Sequence, residues 1–187
     1  YDTLLHRFRE MAYLNKGLKI VFIDKRGRKE RQETFQFEGG LMAFIEHQTE
    51  SKQKLLEKPF YMLKKKDDVE AEIAITYVKD YYDEVVISFA NNIRTREGGT
   101  HLAGFRTALT RSINNFAKRR DMFKEKDEPL TGNDVKEGLV AIISVKLPNP
   151  QFEGQTKSKL GNGEIKGIVD SLVDEAFSHW LEKAPNQ

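Results

Sequence analysis

The run VEAEIAITYV, residues 69–78, limits the fold more than any other stretch of the chain. Val69, Ala71, Ile73, Ile75 and Tyr77 alternate with Glu70 and Glu72, and period two over this length specifies a β-strand with one apolar face. After the turn KDYYDE, the run VVISFAN answers with Val85, Ile87 and Phe89 on one face, so the two runs predict an antiparallel hairpin. A third run, GLVAIISVKL, is apolar on both faces at its start and reads as a central strand ended by Pro148 and Pro150. A chain with these three runs has to build a sheet and cover it.

The covering elements read as helices. DTLLHRFREMAYLNKG opens with Asp2 as a cap, carries Leu4, Leu5, Phe8, Met11 and Ala12 at helical spacing, and stops at Asn15 and Gly17. LKIVFID and QETFQF read as two strands around the charged turn KRGRKER, and EGGLMAFIEHQ restarts a short helix. TESKQKLLEKPF reads as a polar loop. The longest helix, GGTHLAGFRTALTRSINNFAKRR, buries Leu102, Phe105, Leu109, Ile113 and Phe116 and turns Thr107, Arg111, Asn114 and Lys118 the other way. The last, EIKGIVDSLVDEAFSHWLEK, has Ile165, Ile168, Val169, Leu172, Val173, Ala176, Phe177 and Trp180 on one side. The order is helix, two strands, helix, two strands, helix, strand, helix. It predicts an α+β fold with one layer of helices on one largely antiparallel sheet.

Composition removes several classes of function. Without cysteine the chain has no disulfide and no thiolate metal site, and His6, His47, His101 and His179 lack metal-ligand spacing. No apolar run approaches the roughly 20 residues of a membrane span. There is no GxxxxGK[ST] phosphate loop, no Gly-x-Ser-x-Gly elbow and no His-Glu-x-x-His helix, and GNGEIKG does not match GxGxxG. His101 opens the longest helix and reads as a capping or packing histidine with an anion or a second chain as the other option. Asp67, Asp68, Glu70 and Glu72 read as a solvated strand edge. Net charge is only +2, but Arg94–Lys126 holds nine Lys or Arg against three acids. Arg94 and Arg96 precede the long helix, Arg106 and Arg111 lie on it, and Lys118, Arg119 and Arg120 close it. Part of that cluster is what the helix dipole favours; the rest suits a surface that guides a polyanion.

One loop stands apart. GQTKSKLGNGE, residues 154–164, sets Lys157 and Lys159 among small polar residues and three glycines. Its ordinary reading is solvated loop, and residue chemistry alone goes no further.

Resemblance does. NNIRTREGGTHLAGFRTALTRSINNFAK (91–118), REMAYLNKGLKI (9–20), FEGGLMAFIEH (37–47) and GLVAIISVKLPNPQFEGQTKSKLGN (138–162) resemble the transducer, or second, domain of the B subunits of type IIA DNA topoisomerases, those of DNA gyrase above all. The topoisomerase four B subunit shares most of these motifs and is the alternative within the family; a stand-alone nucleic-acid-binding module is the alternative outside it. The resemblance covers residues 1–187 as a single domain, with 2–15 as an N-terminal linker helix. It implies a two-layer fold akin to the second domain of a small-subunit ribosomal protein, with helices on one face and a left-handed βαβ crossover. An ATP-binding domain is expected before Tyr1, which is not Met, and a metal-binding cleavage domain after Gln187.

The implied function is to couple ATP binding and hydrolysis to DNA strand passage and negative supercoiling in the cytoplasm. The fragment alone is expected to be inactive. By position in the family motif, Gln155 and Lys157 contact the ATP γ-phosphate and Thr156 holds the turn; Lys157 is the catalytic member and Lys159 has no such part. A lysine is a mobile point charge, an amide orients a phosphate or a water, and glycines let the loop change shape. Arg106 matches a residue lining the cavity that duplex DNA crosses, with Arg111 and Lys118 beside it, and such a gate has no use for base-specific contacts. Implied partners are duplex DNA, the gyrase A subunit, and a second B subunit. ATP is bound mainly outside this domain, Mg belongs to the full enzyme, and no metal site is expected here.

Overall fold

The computed structural model describes residues 1–79, 81–124 and 126–183. Asp80 of the KDYYDE turn, Glu125 of the basic segment and residues 184–187 of the expected domain lie outside them. Its main sheet has five strands in the order β3-β4-β7-β5-β6: β3 (Phe60–Lys66), β4 (Val69–Tyr77), β5 (Val85–Ala90), β6 (Ile93–Arg94) and β7 (Leu139–Lys146). β7 lies at the centre, antiparallel to β4 with Ile73 opposite Ile143, and parallel to β5 with Ile87 opposite Ile142. The sheet is therefore of mixed orientation, with β3–β4 and β5–β6 also antiparallel.

Two expectations change here. β4 and β5 do not form a hairpin, because β7 lies between them. Alternation identifies a strand and says nothing of its neighbour; both runs need an apolar partner, and the doubly apolar β7 serves both. The hairpin partner of β4 is β3, turned by Asp67 and Asp68 at φ +50 and +62. The polar loop read over TESKQKLLEKPF ends on Phe60, the first residue of β3, whose Lys64, Lys65 and Lys66 mask the strand and guard its free edge.

The second correction is that helices cover both faces, not one. On one face Ala71, Ile73, Ala141, Ile143 and Val145 pack against α3 (Thr100–Arg119) and α5 (Gly163–Lys183), through Leu102, Phe105, Leu109, Val169, Leu172 and Phe177. On the other, Ala74, Ile87, Phe89, Val140 and Ile142 pack against Tyr13 and Leu14 of α1 (Asp2–Leu14) and Leu41, Phe44 and Ile45 of α2 (Gly40–Gln48). Tyr13 stacks between Phe37 and Phe44, with ring centroids 3.7 and 4.7 Å away. A sheet whose alternate residues are both apolar must be covered twice. β1 (Ile20–Asp24) and β2 (Arg31–Phe35) form a separate hairpin, where Phe22 meets Phe8 of α1 at 5.3 Å.

α3 joins β5 to β7, so β5–α3–β7 is a parallel βαβ unit, with the five-residue α4 (Gly132–Lys136) on the way back. α4 is too short to show a period in the sequence; Thr131 and Asp134 make its reciprocal capping box. α3 and α5 pack closely at Gly104, where a Cβ would come within 2.3 Å of the Lys166 carbonyl oxygen. Gly104→Ala must push the two helices apart, and should lower unfolding free energy by about 1–3 kcal/mol, the usual cost of an overpacked interface. Urea denaturation checks this, with the midpoint falling and the slope unchanged.

Candidate functional site

The lysine loop is built on a minimal hairpin, β8 (Phe152–Glu153) and β9 (Lys159–Leu160), with Glu153 opposite Lys159. Asn162, 5% exposed, ties its base: its Oδ1 accepts from the Gln151 backbone N–H at 2.6 Å, and its Nδ2 donates to the Glu164 carboxylate at 3.1 Å. The hairpin docks on the segment between β6 and α3. Glu97 N–H donates to the Ser158 carbonyl at 2.9 Å, and Leu160 N–H donates to that of Gly98 at 3.1 Å. Gly99, at φ +137, approaches so closely that a Cβ would lie 2.4 Å from the Leu160 oxygen, and only glycine fits.

Gln155, Thr156 and Lys157 form the exposed tip. Thr156 Oγ1 lies 3.1 Å from Ser158 Oγ, across the turn. Lys157 takes φ +53, a conformation that costs a non-glycine residue free energy and recurs at functional sites. Its Nζ sits 6.0 Å from the Phe152 ring centroid. With Gln155, Phe152 and Asn91 it lines an open pocket of about 780 Å³. One ammonium and one amide suit a single terminal phosphoryl group; they are too few to grip a whole nucleotide. Lys159, by contrast, is paired with Glu153 at 2.8 Å, which raises its pKa, so it is tied down rather than simply solvated.

The basic helix looks different in three dimensions than on a helical wheel. Arg106 pairs with Glu84 at the approach to β5. Arg111 bridges Asp170 at 3.1 Å and Asp174 at 3.4 Å on α5, and these carboxylates raise its pKa. Arg119 and Arg120 share Glu182, at 2.8 and 3.3 Å. Arg94 reaches Glu10 of α1, which is 3% exposed, at 2.8 Å. Most of the local positive excess is thus met by acids distant in the chain. Lys118 is exposed and has no ion-pair partner among the described residues. Asp67, Asp68, Glu70 and Glu72 do not gather into a cation site; among the described residues no three acidic or histidine side chains cluster at metal-binding distance. No helix there is long and apolar enough to cross a membrane.

His101 is a core residue. It is 0% exposed, its Nε2 lies 3.0 Å from Thr95 Oγ1, and its Nδ1 has no partner among the described residues. Burial lowers its pKa to about 4. An unfolded histidine takes its proton near 6.5, so as pH falls from 6.5 towards 4 the unfolded chain binds the proton that the fold refuses. Stability is full above pH 6.5 and should fall on the order of 1.4 kcal/mol per pH unit through that window. Urea denaturation of the chain and of His101→Gln between pH 7 and 4.5 tests this; the variant should show the shallower fall.

The chain is similar to the crystal structure of the 43K ATPase domain of Thermus thermophilus gyrase B in complex with an aminocoumarin. The TM-score is 0.85 and the identity 41%, over 98% of the chain and 49% of that structure. It is also similar to the topoisomerase IV ATP binding domain of Francisella tularensis, at TM-score 0.82 and 27% identity, over 99% of the chain and 49% of that structure. Gyrase and topoisomerase IV are the class that the fold defines. Residues 40–187 match the family model DNA gyrase B, and the chain is 52% identical over 185 residues to the DNA gyrase B subunit of Halalkalibacterium halodurans and over 186 residues to that of Clostridium acetobutylicum. The chain belongs to the DNA gyrase B family. It spans 29% of the length of each of those two relatives and 99% of itself is matched.

Proposed function

We propose that the chain is the transducer domain of a DNA gyrase B subunit, coupling ATP binding and hydrolysis in a neighbouring ATP-binding domain to DNA strand passage and negative supercoiling. One observation carries this reading: Lys157, exposed at the tip of a hairpin stapled at its base, beside Gln155 and in a left-handed turn. The similarity to a solved gyrase ATPase domain, at 41% identity over 98% of the chain, supports a part in ATP handling. The same reading makes residues 1–187 one domain, α1 its linker, and the β5–α3–β7 crossover left-handed. Its partners are duplex DNA, the gyrase A subunit, and a second B subunit; Mg is held elsewhere in the full cytoplasmic enzyme, and the fragment alone is inactive.

Gyrase is preferred to topoisomerase IV because residues 40–187 match the DNA gyrase B family model and the chain is 52% identical to gyrase B subunits. A stand-alone nucleic-acid-binding module is disfavoured by the ion pairs that occupy Arg106 and Arg111.

The bound nucleotide supplies a terminal phosphoryl group whose oxygens change charge as it transfers. Lys157 contributes a point charge at that end, and Gln155 an amide that orients a phosphate oxygen or a water. Thr156 braces the turn through Ser158. Because Lys157 is remote in sequence from the rest of the site, it makes its contact only when the two domains approach, and so reports the nucleotide state. A cation placed where charge develops acts mainly on turnover. Lys157→Ala in the complete B subunit should retain most ATP affinity while hydrolysis falls by about two or more orders of magnitude. Lys159→Ala, which loses only an exposed pair with Glu153, should do little; equal, mild effects would return the hairpin to ordinary solvated loop.

DNA contact belongs to the α3 surface, through Arg106, Arg111 and Lys118, and is independent of sequence. The first two must give up a carboxylate to meet a phosphate, so Lys118 carries more of the affinity. Lys118→Ala should reduce the slope of log affinity against log salt by about 0.9, and Arg111→Ala by less. Replacing all three should impair strand passage more than ATP binding. Anisotropy titrations across a salt series and supercoiling assays measure the two effects.

A further inference from the structure

Charge alone does not make Lys157 a useful sensor; its backbone must be held where the phosphate will be. The residue beside it is Ser158. Ser158 Oγ donates to the Glu97 carboxylate at 2.9 Å, while its carbonyl accepts from the Glu97 N–H at 2.9 Å, so one residue grips the loop by both backbone and side chain. The turn that carries Glu97 is fixed from below. Gly98 N–H donates to the Thr95 carbonyl at 2.9 Å, Thr95 N–H donates to that of Ser88 on β5 at 2.8 Å, and Ser88 Oγ donates to the Thr95 carbonyl at 3.0 Å. Thr95 Oγ1 lies 3.0 Å from His101 Nε2, and both residues are buried. Hydrogen bonds and the short turn 95–98 therefore link β5 to the residue next to Lys157.

We propose that Glu97 is a positioning residue for Lys157, acting through Ser158, and that the segment 95–99 is the rigid seat against which the lysine loop registers. This rests on the reading of Lys157 as the phosphate-contacting residue. The acid is suited to the task because a carboxylate accepts the Ser158 hydroxyl strongly while the turn that carries it is tied to β5 through Thr95. The contact is exposed, so it adds little to stability and acts on where the loop tip sits.

The test is ATP hydrolysis by the complete gyrase holoenzyme carrying Glu97→Ala, Glu97→Gln, Ser158→Ala or Ser158→Thr, each also combined with Lys157→Ala. Glu97→Ala and Ser158→Ala should each lower kcat about tenfold, with KM for ATP within about twofold and the melting temperature unchanged. Glu97→Gln and Ser158→Thr keep the hydrogen bond and should keep most of the turnover. Neither alanine variant should lower kcat further when Lys157 is already alanine, since the effect passes through that residue. Parent-like kcat in Glu97→Ala and Ser158→Ala, beside a large loss in Lys157→Ala, overturns the positioning role and leaves the sensor reading standing. Losses that add to that of Lys157→Ala, or an equal loss in Glu97→Gln and Glu97→Ala, also overturn it. Parent-like kcat in Lys157→Ala removes the sensor reading and the positioning role together.

Discussion

Burial of β7 on both faces is the constraint from which the rest of the molecule follows. Leu139, Val140, Ala141, Ile142, Ile143 and Val145 are each at most 1% exposed. Each large side chain among them is worth about 1.5–3 kcal/mol on removal from water, and a strand can collect that on both sides only if two layers cover it. α3 and α5 supply one layer, α1 and α2 the other. Central placement also requires a strand on each flank, and β4 and β5 take those places, one antiparallel and one parallel. The parallel neighbour then demands a crossover, which is α3.

That crossover links the core to the candidate site. α3 starts just after Gly99, where the backbone touches Leu160 of the lysine hairpin, and α5 starts just beyond that hairpin at Gly163. The base of the hairpin therefore lies beside the N-terminal ends of two helices that pack against each other. Ser112 and Arg111 bind Asp174 and Asp170, and Arg119 and Arg120 bind Glu182, along one side of the pair. A displacement of the hairpin would thus be applied close to the N-terminal ends of both helices, as the proposed coupling requires. The buried carboxylate of Glu10, held by Arg94 of β6, ties α1 to the same edge of the sheet.

Electrostatics divides by exposure in the same way. His101, sealed under the start of α3, is kept neutral by burial, and it supports Thr95 as a hydrogen-bond partner without bringing a charge into the core. The surface pairs of α3 are half-exposed and individually weak, but they decide which cations remain available to a polyanion.

The sequence by itself determined the elements that alternate or repeat. β4, β5 and β7 follow from period two and from double-sided hydrophobicity; α3 and α5 follow from apolar stripes such as Leu102, Phe105 and Leu109. The family resemblance, carried by long local motifs, pointed to the gyrase B family and to Lys157. Partnership was decided only by the tertiary structure. A strand's pattern records that it has an apolar neighbour but not which, so the position of β7 between β4 and β5 had no local signature. β3 was hidden because its lysines protect an edge, and edges exist only once the sheet is built. The net charge of α3 was equally unreadable, because Glu84, Asp170, Asp174 and Glu182 lie between 22 and 63 positions from the arginines they meet. The seat under Lys157 is of the same kind: Glu97 and Ser158 stand 61 residues apart, and only the docking of a two-strand hairpin onto the start of α3 brings them within a hydrogen bond.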